Sequence, residues 1–307
     1  MLIMDHLTRA AITSRDDTRG YRDKRFKQMT TEDVNLDTRF FCLFKGDPGS
    51  GKSIAAASYP GHKEKSNIGP YFMDNDGRMK SVVNYWRPKG REFHYDRFDS
   101  FLALNTRLEK FYTHEPPYQT IVYDGITTGS DQILADMIST RETDKKKVKR
   151  AGIEFLQIED YGGESRGLQV IIDNLKAISF RWGVNVIVTA HVLTIESTDI
   201  KTRVTTTSRS LLTAGKKIAA KLPVHFDECY QFDVQTDMDV TAPPKYTVVT
   251  RNTGWDWAKT ALPIPARIDF TNGSLYDIIM NHLEGKQFVR ATNNPDAPEI
   301  KTEQETW

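Results

Sequence analysis

The sequence predicts an α/β protein with a mainly parallel sheet flanked by helices, and two observations indicate this class. Short apolar runs of strand type alternate with longer amphipathic segments from residue 40 to about residue 284, an alternation typical of a sheet covered by helices. Beyond residue 223 the alternation stops, and two strand-like runs, 228–234 and 245–251, are joined through a segment with two prolines. This second pattern predicts an antiparallel hairpin at the C-terminal end of the sheet.

The predicted elements alternate along the chain. Strands are expected at the most apolar runs, which are 40–44, 71–73, 93–95, 120–124 and 184–192. Helices are expected where apolar residues recur with helical spacing, in 52–58, 76–86, 100–112, 128–140 and 164–182. Residues 39–284 would form the core. Residues 1–38 mix charges without periodicity and predict a flexible arm, and the polar residues 285–307 predict a disordered tail.

The composition excludes several classes of protein. A net charge of +1 over 307 residues does not by itself indicate a nucleic-acid binder, and no apolar run approaches the roughly 20 residues that span a bilayer. The N-terminal residues lack the pattern of a secretory signal. The two cysteines, Cys42 and Cys229, have no metal-ligand spacing. We therefore expect a reduced, cytoplasmic protein without a membrane partner.

A glycine-rich loop follows the first predicted strand and precedes a predicted helix. Residues 46–53 read GDPGSGKS and match the pattern GxxxxGK[ST] in full. Glycines let several backbone N–H groups converge on phosphate oxygens, and the start of the helix adds the positive end of its dipole. This context predicts an ATP site formed by nine consecutive residues, Gly46, Asp47, Pro48, Gly49, Ser50, Gly51, Lys52, Ser53 and Ile54.

The loop and a later strand together predict a magnesium site. In loops of this kind the lysine, here Lys52, binds the β- and γ-phosphates, and the hydroxyl of Ser53 is a Mg²⁺ ligand. A second acid is needed at the tip of a neighbouring strand, and Asp124 directly follows the strand-type run TIVY. The stretch between Lys52 and Asp124 leaves room for further strands. This favours the P-loop division that contains RecA-like and AAA-type motors over simple nucleotide kinases.

Acidic residues between these motifs are candidates for the catalytic base. Asp74 and Asp76 follow the predicted strand 71–73, at the edge where open α/β sheets bind their ligands. Asp76 is the favoured base for the attacking water, and Glu164 in the segment YGGESRG is its rival. A structural interpretation stays open for Asp74, Asn75 and Asp76, because such residues also cap helices.

A polar tip ends the predicted strand 184–192. Thr189 and His191 lie in its last part, where a polar side chain would face the γ-phosphate and detect its loss. We expect His191 to be this sensor and to pass the change to the segment 193–215 that follows. The alternative is a structural histidine, which is common at strand ends.

The order of the motifs resembles a known family. GDPGSGKS, FMDNDG, TIVYDGIT, VNVIVTAHV and the block from Leu211 to Phe232 follow one another as in phage-encoded RecA-like ATPases (RadA/RadB-like), the phage nucleotide-binding proteins that act as single-strand annealing recombinases. The resemblance covers about residues 40–260. It implies a RecA-like P-loop NTPase core with catalytic roles for Lys52, Asp76, Asp124, His191, Lys216 and Lys217. The last two resemble lysines that reach a neighbouring subunit's γ-phosphate, and the family usually has glutamate at the position of Asp76.

Two basic segments predict contact with single-stranded DNA. Residues 141–150 hold six basic residues against two acidic ones, and residues 200–222 hold six basic residues and no acidic one, among many hydroxyls. Flexible, positive loops of this kind neutralise a phosphate backbone, although a solvated charged surface is the alternative. The candidate DNA-binding residues are Lys145, Lys146, Lys147, Lys149, Arg150, Lys201, Arg203 and Arg209. Phe155 and Tyr161 are weaker candidates for stacking on bases.

The sequence thus predicts an ATP-dependent recombination protein that binds single-stranded DNA, hydrolyses Mg-ATP and assembles with itself as a ring or filament. A single-strand DNA-binding protein is a further candidate partner. Two alternatives stay open. One is a motor, such as a helicase loader or a DNA-packaging ATPase, in which Arg209 or Arg251 would be an arginine finger. The other is a nucleotide-binding regulatory protein with little hydrolysis.

Overall fold

The computed structural model describes residues 39–141, 149–150, 153–154, 158–198, 201–203, 205–236, 242–253 and 257–285. These residues belong to one compact unit that begins at Arg39. Among them, no helix has the length and apolar character that a bilayer crossing requires. The predicted arm, 1–38, and all but the first residue of the predicted tail, 285–307, lie outside the described residues, so both stay predictions.

Strands and helices alternate along the described chain. Its first half contains β1 (Phe41–Gly46), α1 (Lys52–Ala56), β2 (Tyr71–Asp74), α2 (Met79–Trp86), β3 (Tyr95–Arg97), α3 (Phe101–Thr113), β4 (Thr120–Asp124) and α4 (Ile126–Arg141). Two short strands, β5 (Lys149–Arg150) and β6 (Ile153–Glu154), pair with each other. The remaining elements are α5 (Ile158–Trp182), β7 (Asn185–Thr198), β8 (Thr205–Leu211), α6 (Lys216–Lys221), β9 (Glu228–Gln235), β10 (Lys245–Val249), β11 (Arg267–Asp269) and α7 (Leu275–Leu283).

The main sheet is mostly parallel. Its nine described strands have the order β11-β10-β9-β1-β7-β4-β2-β3, with β8 paired to β7. The six strands from β9 to β3 run parallel to their neighbours, whereas β10 and β11 are antiparallel additions. This arrangement confirms the predicted α/β class, a P-loop NTPase type of core with a C-terminal antiparallel hairpin, β9–β10.

Burial on both faces explains why the parallel strands are apolar throughout. In β1, Phe41 and Leu43 belong to one hydrophobic cluster, and Cys42 and Phe44 belong to the other. Because side chains alternate along a strand, the two clusters lie on opposite faces of the sheet. All residues of β4 are likewise buried. Doubly covered strands read as continuous apolar runs, and for β4 the predicted and observed bounds agree.

The strand register brings the predicted site residues to one edge. Gly46 at the end of β1 lies beside His191 of β7, and Asp74 at the end of β2 lies beside Asp124 at the end of β4. The carboxyl ends of parallel strands form the edge at which open α/β sheets bind ligands. The strand register therefore brings these four residues to one edge of the sheet.

The segment after His191 is not the loop that the sequence predicted. Strand β7 continues to Thr198 and pairs antiparallel with β8, from Val192 opposite Leu211 to Thr198 opposite Thr205. Threonine and isoleucine are β-branched and favour strands, so this hydroxyl-rich composition suits a strand as well as a loop. We call residues 192–211 the β7–β8 hairpin.

Helix α5 also begins earlier than predicted, at Ile158 rather than at residue 164. Gly162 and Gly163 lie inside this helix, and a Cβ at Gly163 would lie 2.0 Å from the Cε of Met137 on α4. The glycine therefore permits close packing of two helices. Strands β5, β6 and β11 and helices α6 and α7 were not predicted.

Candidate nucleotide-binding site

The glycine-rich loop connects β1 to α1. Gly46 is the last residue of β1 and Lys52 is the first of α1. Gly49 and Gly51 have φ angles of 80° and 88°, a left-handed backbone that favours glycine. A Cβ at Gly46 would lie 2.4 Å from the carbonyl oxygen of Phe232 on β9, whereas a Cβ at Gly49 would meet nothing within 4 Å. The glycines therefore let β1 approach β9 and leave open space at the middle of the loop.

Lys52 is buried and held by the loop itself. The residue is 6% exposed, and its Nζ donates hydrogen bonds of 2.9 Å to the carbonyl oxygens of Gly46 and Asp47. Burial disfavours the charged amine and lowers the pKa of Lys52 to about 8, against the opposing effect of the Asp124 carboxylate. An anion placed beside Nζ would raise this pKa again, so phosphate binding and protonation of Lys52 are linked.

Ser53, Asp124 and Thr189 form a polar cluster next to the loop. Ser53 Oγ donates a 2.9 Å hydrogen bond to Asp124 Oδ2, and Thr189 Oγ1 donates one to Oδ1. Asp124 is 4% exposed. Burial raises its pKa, and the hydrogen bonds from Thr189 and Ser53 oppose this rise. The structure thus brings the two predicted metal ligands, Ser53 and Asp124, into direct contact and adds Thr189 as the group that orients the carboxylate.

The two acids after β2 differ in what they contact. Asp74 is 2% exposed, and its Oδ1 accepts a 3.2 Å hydrogen bond from the N–H of Arg78, just before α2. Asp74 therefore holds the turn that begins this helix. Asp76 lines the crevice instead, and its N–H and that of Asn75 donate to the carbonyl oxygen of Asp124. Asp74 therefore has a structural role at the start of this helix, the alternative that the sequence left open, whereas Asp76 faces the crevice, as a candidate base must.

His191 lies between the candidate base and the lysine. Its Nε2 is 3.7 Å from Asp76 Oδ2, and its Nδ1 is 3.4 Å from Lys52 Nζ. Since an ammonium group can only donate, Nδ1 is the acceptor, and the ring proton is on Nε2 facing Asp76. Burial raises the pKa of Asp76, but the neighbouring His191, Thr128 and Arg78 outweigh burial and hold the pKa below its ordinary value. Asp76 is therefore a carboxylate at neutral pH.

One cavity of about 150 Å³ is lined by Lys52, Ser53, Asp76, Asp124, Thr189 and His191. Sequence reasoning missed several side chains that line it, namely Arg78, Ser81, Thr127 and Tyr246. The ring of Tyr246 lies 3.1 Å from the position that a Cβ on Gly51 would occupy. Arg78 follows Asp76 in the same turn and could have been found from local sequence. Tyr246 reaches the loop only through the strand order β10-β9-β1, which no local pattern reveals.

A family model described as an AAA domain matches residues 40–261, most of the chain. The chain belongs to this AAA domain family. It is therefore an AAA-type P-loop ATPase, and the predicted nucleotide-binding and ATP-hydrolysing class is confirmed at that level. ATPases of this type typically use Mg²⁺. No curated protein matches the chain.

The rival base, Glu164, does not line the nucleotide cavity of the AAA domain. Glu164 is fully buried. Burial raises its pKa, and the hydrogen bond from Ser130 Oγ opposes the rise. The same Oγ accepts a 3.1 Å hydrogen bond from the N–H of Ala214. Glu164 thus anchors the turn before α6. Lys216 and Lys217 begin that helix, are exposed, and do not line the cavity either.

The predicted DNA-binding residues occupy several places on the AAA domain. Lys201 and Arg203 are exposed in the connection between β7 and β8. Arg209 lies in β8, and its Nη1 is 3.0 Å from Asp233 Oδ1 of β9, so this guanidinium is held against the sheet. Lys149 and Arg150 form β5. The remaining candidates, Lys145, Lys146, Lys147 and Phe155, lie outside the described residues, and Tyr161 is part of α5 with 39% of its surface exposed.

Proposed function

We propose that this AAA domain belongs to an ATP-dependent recombination protein of the RecA-like, single-strand annealing type, encoded by a phage and acting on single-stranded DNA. One observation carries the proposal. The ring of His191 lies between Lys52 and Asp76 in the nucleotide cavity, and the β7–β8 hairpin begins at the next residue. A single residue therefore joins the place of hydrolysis to an exposed segment with basic residues.

The cavity fits Mg-ATP. The open space at Gly49 and the left-handed glycine backbone allow the loop N–H groups to surround a phosphate, with Lys52 at the end of the loop. Ser53 Oγ and Asp124 Oδ2, 2.9 Å apart, are hydroxyl and carboxylate oxygens of the kind that Mg²⁺ prefers. When bound, Mg²⁺ would neutralise charge on the β- and γ-phosphate oxygens. The Tyr246 ring borders the loop on the side of β10.

Asp76 is the residue that would orient the attacking water and accept its proton. Its side chain is 9% exposed, so bulk water competes little, and its low pKa keeps it ionised at neutral pH. The positive charges of Lys52 and Arg78 line the same cavity. As in phosphoryl transfer generally, the protein's contribution would be positioning and charge neutralisation.

The backbone around His191 offers a route from hydrolysis to DNA affinity. Its N–H donates a 3.1 Å hydrogen bond to Thr127 Oγ1, and its carbonyl oxygen accepts a 2.8 Å hydrogen bond from the N–H of Leu212. Both ends of the hairpin therefore meet at His191. A ring that changes partners between Lys52 and Asp76 would shift the base of the hairpin, so DNA affinity would depend on the nucleotide. The exposed lysines of α6 would serve a neighbouring copy in a ring or filament.

Rates of ATP hydrolysis and affinities for single-stranded DNA test the proposal. We expect hydrolysis that DNA stimulates, and its loss in Lys52→Ala and Asp76→Asn. The double variant Lys201→Gln/Arg203→Gln should bind DNA more weakly. The slope of the logarithm of its affinity against the logarithm of salt concentration should be shallower, by the amount that about one to two lost phosphate contacts predict. A control that removes one exposed lysine of α3, Lys110→Gln, should change neither property.

The same measurements separate the alternatives. A DNA motor would show continuous turnover coupled to translocation along DNA. A protein that binds nucleotide but shows neither DNA binding nor DNA-stimulated hydrolysis would be a regulatory ATPase, and the recombination proposal would be wrong. An unchanged salt dependence in the double variant would remove the hairpin connection from the DNA interface.

A further inference from the structure

A second cavity, of about 600 Å³, lies beside α2 and β3 and shares no lining residue with the nucleotide cavity. We call it the α2–β3 cavity. Helix α2 contributes Met79 and Lys80, the turn after it contributes Arg87, and β3 with its preceding segment contributes Arg91, Tyr95 and Arg97. The volume is within the range of small-molecule sites.

The charged side chains around the α2–β3 cavity are mostly cations. Four basic residues, Lys80, Arg87, Arg91 and Arg97, line it against two carboxylates, Asp74 and Glu92. One of these carboxylates is already engaged, because Asp74 accepts the N–H of Arg78. Among the described residues, no ion pair joins Lys80, Arg87 or Arg97 to an acid. The surplus of positive charge therefore faces whatever enters the cavity.

Arg91 gives the cavity a fixed cationic wall. Its guanidinium donates to the carbonyl oxygens of Ser58, at 3.2 Å, and Tyr59, and it lies 5.4 Å from the ring of Trp86. Burial lowers the pKa of Arg91, and the Asp277 carboxylate opposes this, so the group stays a cation. The guanidiniums of Arg87 and Arg97 are exposed, and such planar groups bind phosphate through paired hydrogen bonds.

Aromatic side chains complete the lining. Phe93 is packed against Phe72 of β2, with ring centroids 5.8 Å apart, and Tyr95 is 51% exposed. Both line the cavity. Aromatic rings beside cations suit nucleotides, because the rings stack on bases while the cations bind phosphates. The cations of the lining therefore suit a phosphate group, and the rings can stack on a base attached to it.

The same short segment borders both cavities. Asp76, Arg78 and Ser81 line the nucleotide cavity, whereas Gly77 and Met79, with Asp74, line the α2–β3 cavity. The guanidinium of Arg97 lies against Gly77, whose φ is 67°, and a Cβ there would be 3.0 Å from Arg97 Cζ. A ligand that draws Arg97 away would change the packing beside Asp76.

We propose that the α2–β3 cavity binds a phosphate-bearing ligand, either a free nucleotide or a strand of nucleic acid, and that occupancy alters the position of Asp76. The proposed binding depends only on the residues that line the α2–β3 cavity. The proposed effect on hydrolysis also rests on the proposed function, in which Asp76 is the base. The cavity would then be an effector site for the ATPase.

Calorimetry on the full chain tests the binding. The variant Lys52→Ala disables the glycine-rich loop, and we expect it still to bind inorganic pyrophosphate at one site. Adding Arg87→Gln and Arg97→Gln should weaken that binding about tenfold or more, because each cation makes charge-assisted hydrogen bonds. Adding instead Lys65→Gln and Lys110→Gln, two exposed lysines outside both cavities, should leave it unchanged. Absence of binding in Lys52→Ala, or equal binding in both multiple variants, would overturn the proposal.

Two further titrations of Lys52→Ala identify the source of the phosphate. Tighter binding of an oligo-dT strand than of dTMP, lost with the two arginines, would assign the cavity to nucleic acid, and the reverse would assign it to a free nucleotide. In a chain with Lys52 intact, the assigned ligand should change the rate of ATP hydrolysis about threefold or more, and an unchanged rate would overturn the coupling. Failure of wild-type ATP binding would refute the proposed function without touching this cavity.

Discussion

Replacing Thr189 by valine removes one hydroxyl from the polar cluster of Ser53, Asp124 and Thr189 while keeping the side-chain volume and β-branching. One carboxylate oxygen of Asp124 accepts a hydrogen bond from Thr189, and the other accepts one from Ser53. A hydrogen bond to a charged group contributes about 1.5–3 kcal/mol, and about 1.4 kcal/mol is tenfold in affinity. The variant should raise the pKa of Asp124 further and increase the Mg²⁺ concentration for half-maximal ATP hydrolysis about tenfold.

Mg²⁺ titrations of the hydrolysis rate at about pH 6.5 and about pH 8.5 measure this effect. Protonation of Asp124 competes with the metal, so the defect of Thr189→Val should be larger at the lower pH. Thr189→Ser keeps the hydroxyl and is the matched control, expected within about threefold of wild type. If valine and serine variants behave alike at both pH values, Thr189 does not orient the metal ligand, and the description of this cluster is wrong.

Three other perturbations test separate parts of the structure. At about pH 8, nucleotide binding should take up about half a proton, because Lys52 has a pKa of about 8 before an anion restores its charge. Calorimetry in buffers of different ionisation enthalpy should detect this proton uptake. The variant Lys52→Arg should abolish it. Glu164→Ala should lower the free energy of unfolding in urea by about 2–4 kcal/mol, since the fully buried side chain leaves a cavity and the hydroxyl of Ser130 loses its acceptor; a change below about 0.5 kcal/mol would contradict this. Gly46→Ala should lower the free energy of unfolding by about 1–3 kcal/mol because its Cβ would lie 2.4 Å from Phe232 O. The matched control Gly162→Ala lies in α5, where the Cβ meets nothing within 4 Å, and should not lower it.

Local sequence predicted the strands and the loop because their signals are local. Strand β4 is buried on both faces and is a continuous apolar run, so its bounds follow from five residues. The glycine-rich loop is likewise a contiguous motif between a strand and a helix. Parallel strands place their carboxyl ends together, which is why Asp76, Asp124 and His191 line one cavity.

The remaining features depend on contacts between distant segments. Asp74 and Asp76 look alike in sequence, and their contacts separate them: Asp74 accepts the N–H of Arg78, whereas Asp76 lines the nucleotide cavity beside His191. Glu164 acquires its place from Ser130 and from the turn before α6. The β7–β8 hairpin was misread because threonine suits both polar loops and strands. Composition alone does not distinguish these environments.

The hydrolysis rate of Asp76→Asn, measured in a single turnover with nucleotide affinity determined in parallel, tests the central claim about this site most directly. We expect nucleotide affinity within about threefold of wild type and a rate at least about 100-fold lower, since the amide cannot accept the proton of water. Glu164→Gln should keep the wild-type rate. Normal hydrolysis by Asp76→Asn, or a comparable loss in Glu164→Gln, would contradict the assignment of Asp76 as the base.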